Sequence, residues 1–124
     1  MSEWITLEQS FLGYPLSVRV CPLGADYAVI ISGGCRPHVG SVTAAYWENG
    51  AVRCETSVRQ GHHDDVVSKR FAQELAQACQ CSVSVNCGIH YDNLSKADLA
   101  CVLAGTEELL ARLIGLLACP AGGS

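Results

Sequence analysis

The sequence predicts an α+β domain, a mostly antiparallel sheet of about six strands with three helices on one face. Three observations predict it. Five short runs before residue 59 alternate apolar and polar residues or are apolar throughout, the period of strands. An Asn49-Gly50 dipeptide joins two of them, and both positions of a tight type I′ hairpin need positive φ. From about residue 64 the apolar spacing becomes helical, returns once to a period of two, and becomes helical again. The predicted order is βββββ-α-β-αα.

The elements follow in turn. Trp4 to Phe11 alternates, and "LGYP" turns the chain. Leu16 to Cys21 alternates again before the turn "PLGAD". "YAVIIS" (27–32) is apolar on both faces and reads as a central strand. "GGCRPH" then interrupts. Ser41–Trp47 and Ala51–Val58 flank the Asn-Gly turn. A two-residue loop sets Trp47 opposite Val52, Ala45 opposite Cys54 and Thr43 opposite Thr56, on a face expected to meet the core. Tyr46, Arg53, Glu55 and Ser57 fall on the other face, toward solvent or a partner subunit.

Val67, Phe71, Leu75 and Ala78 predict an amphipathic helix over 64–79, with Asp64 and Asp65 in its first turn. Ser82 to His90 is the sixth strand, with Val83, Val85, Cys87 and Ile89 on one face and His90 on the other. Ser95 suits an N-cap for a short helix that Gly105 is expected to end. Thr106 is expected to cap a last helix with an apolar face of Leu109, Leu110, Leu113, Ile114 and Leu117. Residues 1–118 read as one domain and 119–124, "CPAGGS", as a flexible tail.

Composition narrows the function. At 124 residues the chain suits one modest core. Its net charge of -4 and lack of any Lys/Arg run argue against a nucleic-acid binder. The longest apolar stretch, Leu109 to Leu117, is too short to span a bilayer. "MSEWITLEQS" lacks a basic start followed by an apolar core, so a cytoplasmic protein is expected. In that setting the eight cysteines, none in a C-x-x-C pair, read first as reduced, buried thiols, with a metal or redox site as the lesser alternative.

Strand direction then gathers the histidines. If the third strand ends at the top of the sheet, the fifth ends there too, the first helix starts there, and the sixth strand returns to it. "GGCRPHVG" (33–40), "RQGHHDD" (59–65) and "GIHYDN" (88–93) therefore share one edge, and they hold all four histidines. Gly33, Gly34 and Arg36, with two helix N-termini near Asp64 and Ser95, suit an anionic ligand there. Three imidazoles and Asp92 could instead hold a divalent metal, and a His/Asp pair could move protons. Nucleophile-elbow, P-loop and dinucleotide-binding motifs are absent, so enzyme chemistry has little support.

"SGGCRPHVGSV" (32–42), "GHHDDVVSKRFAQELA" (61–76) and "GIHYDNLSKADL" (88–99) resemble the prenylated-flavin chaperone-like family, which is linked to gallate decarboxylase and related enzymes. The resemblance covers roughly residues 26–115, and the family is similar in fold to the dimeric proteasome assembly chaperones. It implies a non-catalytic protein that holds prenylated FMN, or FMN, and delivers it to a prenylated-flavin-dependent decarboxylase subunit. It also implies a homodimer, with no metal expected. Carried over, the P-H-x-G motif falls on Pro37, His38 and Gly40, the loop before the helix on His62 and His63, and G-I-H-x-D on Gly88, Ile89, His90 and Asp92. The expected cofactor-binding set is Gly33, Gly34, Arg36, His38, Gly40, His62, His63, His90 and Asp92. The competing readings are a dimeric assembly module without a small ligand and a metal-dependent enzyme using His38, His63, His90 and Asp92.

Overall fold

A computed structural model describes residues 3–59 and 64–118. Its elements are β1 (Ile5–Phe11), β2 (Tyr14–Leu23), β3 (Asp26–Gly34), β4 (Ser41–Glu48), β5 (Ala51–Val58), α1 (Asp65–Cys79), β6 (Val83–His90) and α2 (Lys96–Leu117). The strands form one sheet in the order β1-β2-β3-β6-β4-β5. Asn49 and Gly50 both take positive φ, and the hairpin they make has the register expected of it, with Ala45 opposite Cys54 and Thr43 opposite Thr56.

Two features differ from expectation. The sheet is mixed rather than mostly antiparallel. β6 enters between β3 and β4, parallel to the first and antiparallel to the second. Hairpin loops fix the direction of a strand but not which distant strand lies beside it. The two strands that run toward the same edge thus become neighbours.

The second difference is in the helices. There are two among the described residues, because α2 runs unbroken through Gly105 and Thr106. Gly105 is a packing residue here: a Cβ at that position would enter the ring of Phe11 on β1. Thr106 turns its hydroxyl back onto the Leu103 carbonyl at 2.7 Å, a bond made within a helix, instead of capping a new one. Ser95 does cap α2, its Oγ accepting from Asp98 N–H at 3.0 Å. The tail proposed for 119–124 lies outside the described residues. No described helix is long and apolar enough to cross a membrane.

Both helices cover the same face of the sheet. Phe71 and Leu75 of α1 and Leu109 and Leu113 of α2 are fully buried against Val18, Ile31 and Val85. Each such side chain contributes about 1.5–3 kcal/mol when taken out of water. A chain of hydroxyls lies beneath α1. Ser68 Oγ meets Ser41 Oγ and Thr43 Oγ1, both at 2.8 Å, and Thr43 Oγ1 continues to Thr56 Oγ1 at 2.9 Å. Among the described residues every buried side-chain polar atom has a partner. Trp47 closes the rim of this face, its indole N–H donating to the Ala76 carbonyl near the end of α1. Neither described helix lies on the opposite sheet face.

The cysteines divide. Cys81 and Cys87 are buried core thiols as expected, whereas Cys54 and Cys101 are exposed and Cys35 is half-buried at the site edge. Burial first, then nearby Cys79 and Asp26, push the Cys81 thiol up to about 11. Folding therefore favours the protonated thiol, and that contribution is lost as pH rises from the ordinary thiol value toward 11.

Glycine substitutions in α2 separate packing from helix propensity. Gly105→Ala should destabilise by about 1–3 kcal/mol through overpacking on Phe11. Gly115→Ala, whose Cβ meets nothing within 4 Å, should stabilise by up to about 1 kcal/mol. Urea denaturation of both variants beside the parent measures the difference.

Candidate functional site

Loop 35–40 lies across the ends of β3 and β6. Cys35 N–H donates to the His90 carbonyl at 2.8 Å, and Gly40 N–H donates to the Cys87 carbonyl at 2.9 Å. The loop thus continues the sheet's hydrogen bonding past the last strand residues. Close backbone approach makes this possible. Gly34 takes φ +85°, and a Cβ there would collide with the His90 carbonyl. A side chain on Gly40 would strike the Asp64 carboxylate, and one on Gly88 would strike the His38 carbonyl. Gly33 backs onto Leu16 and Pro15 in the same way. Gly33, Gly34 and Gly40, expected to contact a ligand, and Gly88 beside them have the space at their Cα filled by the protein itself. Their role is to let three segments meet.

Asp64 binds those segments together. It occupies the N-cap position of α1, yet its side chain makes no capping bond. Oδ1 accepts from Ile89 N–H at 3.1 Å, and Oδ2 lies 3.2 Å from His38 Nε2. Its side chain is only 9% exposed. His38 is fixed from its other side by a 3.1 Å contact between Nδ1 and the Arg36 carbonyl. Sequence reasoning placed Asp64 at a helix start and passed over it as a site residue. Its ordinary role as a helix-end carboxylate hid the long-range one.

Outside this clasp lies a polar cluster. His90 Nε2 is 2.8 Å from Asp92 Oδ1 and 3.3 Å from an Arg36 nitrogen. Cys35 Sγ donates toward Asp92 Oδ2 at 3.4 Å. Hydrogen bonds from His90, then from Cys35, hold the Asp92 carboxyl below the usual carboxylate range, with the Arg36 charge adding to them. The His38 and His90 rings stand edge to face, 6.4 Å between centroids. Arg36, His38, His90 and Asp92 are therefore brought together as expected. His62 and His63 lie outside the described residues.

Two depressions share His90. One, of about 330 Å³, is lined by Arg36, His38, Arg59 and His90. Arg59 was not singled out in the sequence because it simply follows an exposed edge strand that ends at Val58. Its backbone N–H bonds the Gly40 carbonyl and its guanidinium donates to the Val39 carbonyl, which aligns it with the loop. The other depression, of about 240 Å³, opens between β6, α1 and α2, with Val67, Ile89, Leu94, Leu99 and Leu103 on its walls. Tyr91 borders it and stacks edge to face on Tyr14. Of the helix N-termini expected to receive an anion, that of α2 is capped by Ser95, and that of α1 carries the negative charge of Asp64 and Asp65 beside it. Among the described residues, the guanidiniums of Arg36 and Arg59 bring positive charge to this edge.

A mixed sheet with two described helices on one face makes this a small α+β protein, and its fold is similar to that of a proteasome assembly chaperone. The crystal structure of a novel chaperone complex for yeast 20S proteasome assembly has this fold, with a TM-score of 0.56, 11% identity, and coverage of 92% of this chain and 94% of that one. Within that fold, residues 10–118 match the prenylated flavin chaperone LpdD-like domain, and the chain belongs to that family. Protein LpdD of Lactiplantibacillus plantarum is 28% identical over 114 residues, covering 90% of this chain and 82% of that protein.

Removing the clasp should be costly. Asp64→Ala leaves the Ile89 N–H without its acceptor and should lower stability by about 1–3 kcal/mol. Urea titration gives that figure, and amide exchange at Ile89 should rise in the same variant.

Proposed function

We propose that the protein is a non-catalytic chaperone that holds prenylated FMN, or FMN, at this edge and passes it to a decarboxylase subunit. The observation that carries the reading is the pairing of a basic notch with an apolar groove through one shared residue, His90. A flavin mononucleotide has the same two parts. Its phosphate calls for charge-assisted donors, which Arg36 and Arg59 supply, with His38 and His90 beside them. Its ring system, enlarged by a prenyl-derived ring, calls for apolar walls such as Leu94, Leu99 and Leu103. The decarboxylation chemistry belongs to the flavin once it is in the client enzyme. This chain's part is to bind, orient and shield it, and the family's chaperone description supports that division.

Fluorescence quenching tests the reading. FMN should bind, and riboflavin, which lacks the phosphate, should bind at least about tenfold more weakly, since one charge-assisted bond is worth about 1.5–3 kcal/mol. Arg36→Ala and Arg59→Ala should each narrow that gap. Equal affinity for FMN and riboflavin, or no quenching by FMN or its prenylated form, would sink the proposal.

A self-association reading has its own support in the uncovered sheet face. Ile30 of β3 and Val42 of β4 stand on either side of Asn86 in one cross-strand row, 38% and 39% exposed, with exposed Ala44 one row away. An apolar strip on a sheet face suits a symmetric contact with a second copy. Light scattering should give a dimer mass for the parent and a monomer mass for Val42→Lys. A monomeric parent at micromolar concentration would rule out this face as a stable dimer contact.

A further inference from the structure

We infer that Cys35, His90 and Asp92 form a binding site for a borderline divalent cation, Zn²⁺ above all. This goes beyond the flavin reading and does not depend on it. The three side chains offer one sulfur, one nitrogen and one oxygen donor, and these donor atoms all lie within 4.8 Å of one another. Thiolate, imidazole and carboxylate are the ligands zinc takes in proteins, with bonds of about 2.0–2.3 Å, so tetrahedral ligand atoms sit roughly 3.3–3.8 Å apart. The 3.4 Å from Cys35 Sγ to Asp92 Oδ2 falls within that span, while the 2.8 Å from His90 Nε2 to Asp92 Oδ1 is a direct hydrogen bond that must open by about 0.5 Å to admit the cation.

The backbone holds the set in place without the metal. Gly34 pairs with His90 across the parallel strands, and the next residue, Cys35, donates its N–H to the His90 carbonyl. Cys35 and His90 are therefore fixed side by side, and Asp92 follows His90 by two residues on the same edge. The thiol points out of the core at the site edge, unlike Cys81 and Cys87. The sequence offers a metal at His38, His63, His90 and Asp92 as a competing reading, with the cysteines mainly as buried thiols; the site inferred from the structure keeps His90 and Asp92 and adds Cys35.

Uptake is balanced by protons. The Cys35 thiol gives its proton to solvent as sulfur bonds to the cation, and His90 binds through the neutral nitrogen. Arg36, whose side chain is 73% exposed, must turn away from His90 and Asp92 as the cation arrives. Three protein ligands leave a fourth position open for water or another oxygen donor.

Cobalt titration of the reduced full-length protein tests the site, because a thiolate bound to Co²⁺ gives a near-ultraviolet charge-transfer band. The parent should take up one Co²⁺ per chain with that band, and Zn²⁺ should displace it. Cys35→Ser should abolish the band, and Asp92→Asn should weaken uptake at least tenfold. Cys101→Ser, on the exposed surface of α2, should behave as the parent. Absence of uptake by the parent, a band that survives Cys35→Ser, or a band lost in Cys101→Ser would overturn the assignment.

Discussion

The insertion of β6 between β3 and β4 is the constraint on which the rest of this structure depends. Five strands joined by short turns could have closed their pairing among themselves. Instead β3 and β4 stand apart, and a strand from beyond α1 fills the gap. Its central position explains why Val83, Val85 and Cys87 are buried while the edge strand β5 is mostly exposed. Its parallel pairing with β3 ends at Gly34 and His90, so the chain leaving β3 and the chain leaving β6 emerge side by side. Cys35, Arg36, His90 and Asp92 are neighbours for that reason.

The loop between β3 and β4 must then cross the end of the intruding strand. It does so by bonding to two carbonyls of β6, and glycines at the crossing points keep Cβ atoms out of the way. Asp64 completes the arrangement from the helix side. A buried carboxylate is costly unless its lone pairs are used, and here a backbone N–H and an imidazole use them. The same few bonds therefore close the sheet edge and shape the basic notch. The site is built from backbone geometry first and side chains second.

Much of this was legible in the sequence because it is local. Alternation marked the strands, Asn49-Gly50 fixed a register, and Ser95 marked a helix start, each governed by residues a few positions apart. Directions alone were enough to bring His38 and His90 to one edge. What stayed hidden is non-local. Nothing near Gly105 says that Phe11, far away on β1, needs the space a side chain would take, so the glycine read as a helix stop. Asp64 looked like a helix-end residue because its partners, Ile89 and His38, are distant in the chain. Cys35 resembled the other thiols until the strand pairing set it beside His90.

The order in which the chain is made gives the sheet a further property. β3 and β4 leave the ribosome well before residues 83–90, and they do not pair with each other. Until β6 is synthesised, each lacks its partner on that side, a hydrogen-bonding edge left unpaired. Pairing those edges requires contacts between residues far apart in sequence, the slow class of event in folding. The sheet therefore closes last at its middle, where the sixth strand gives β3 and β4 their missing partner.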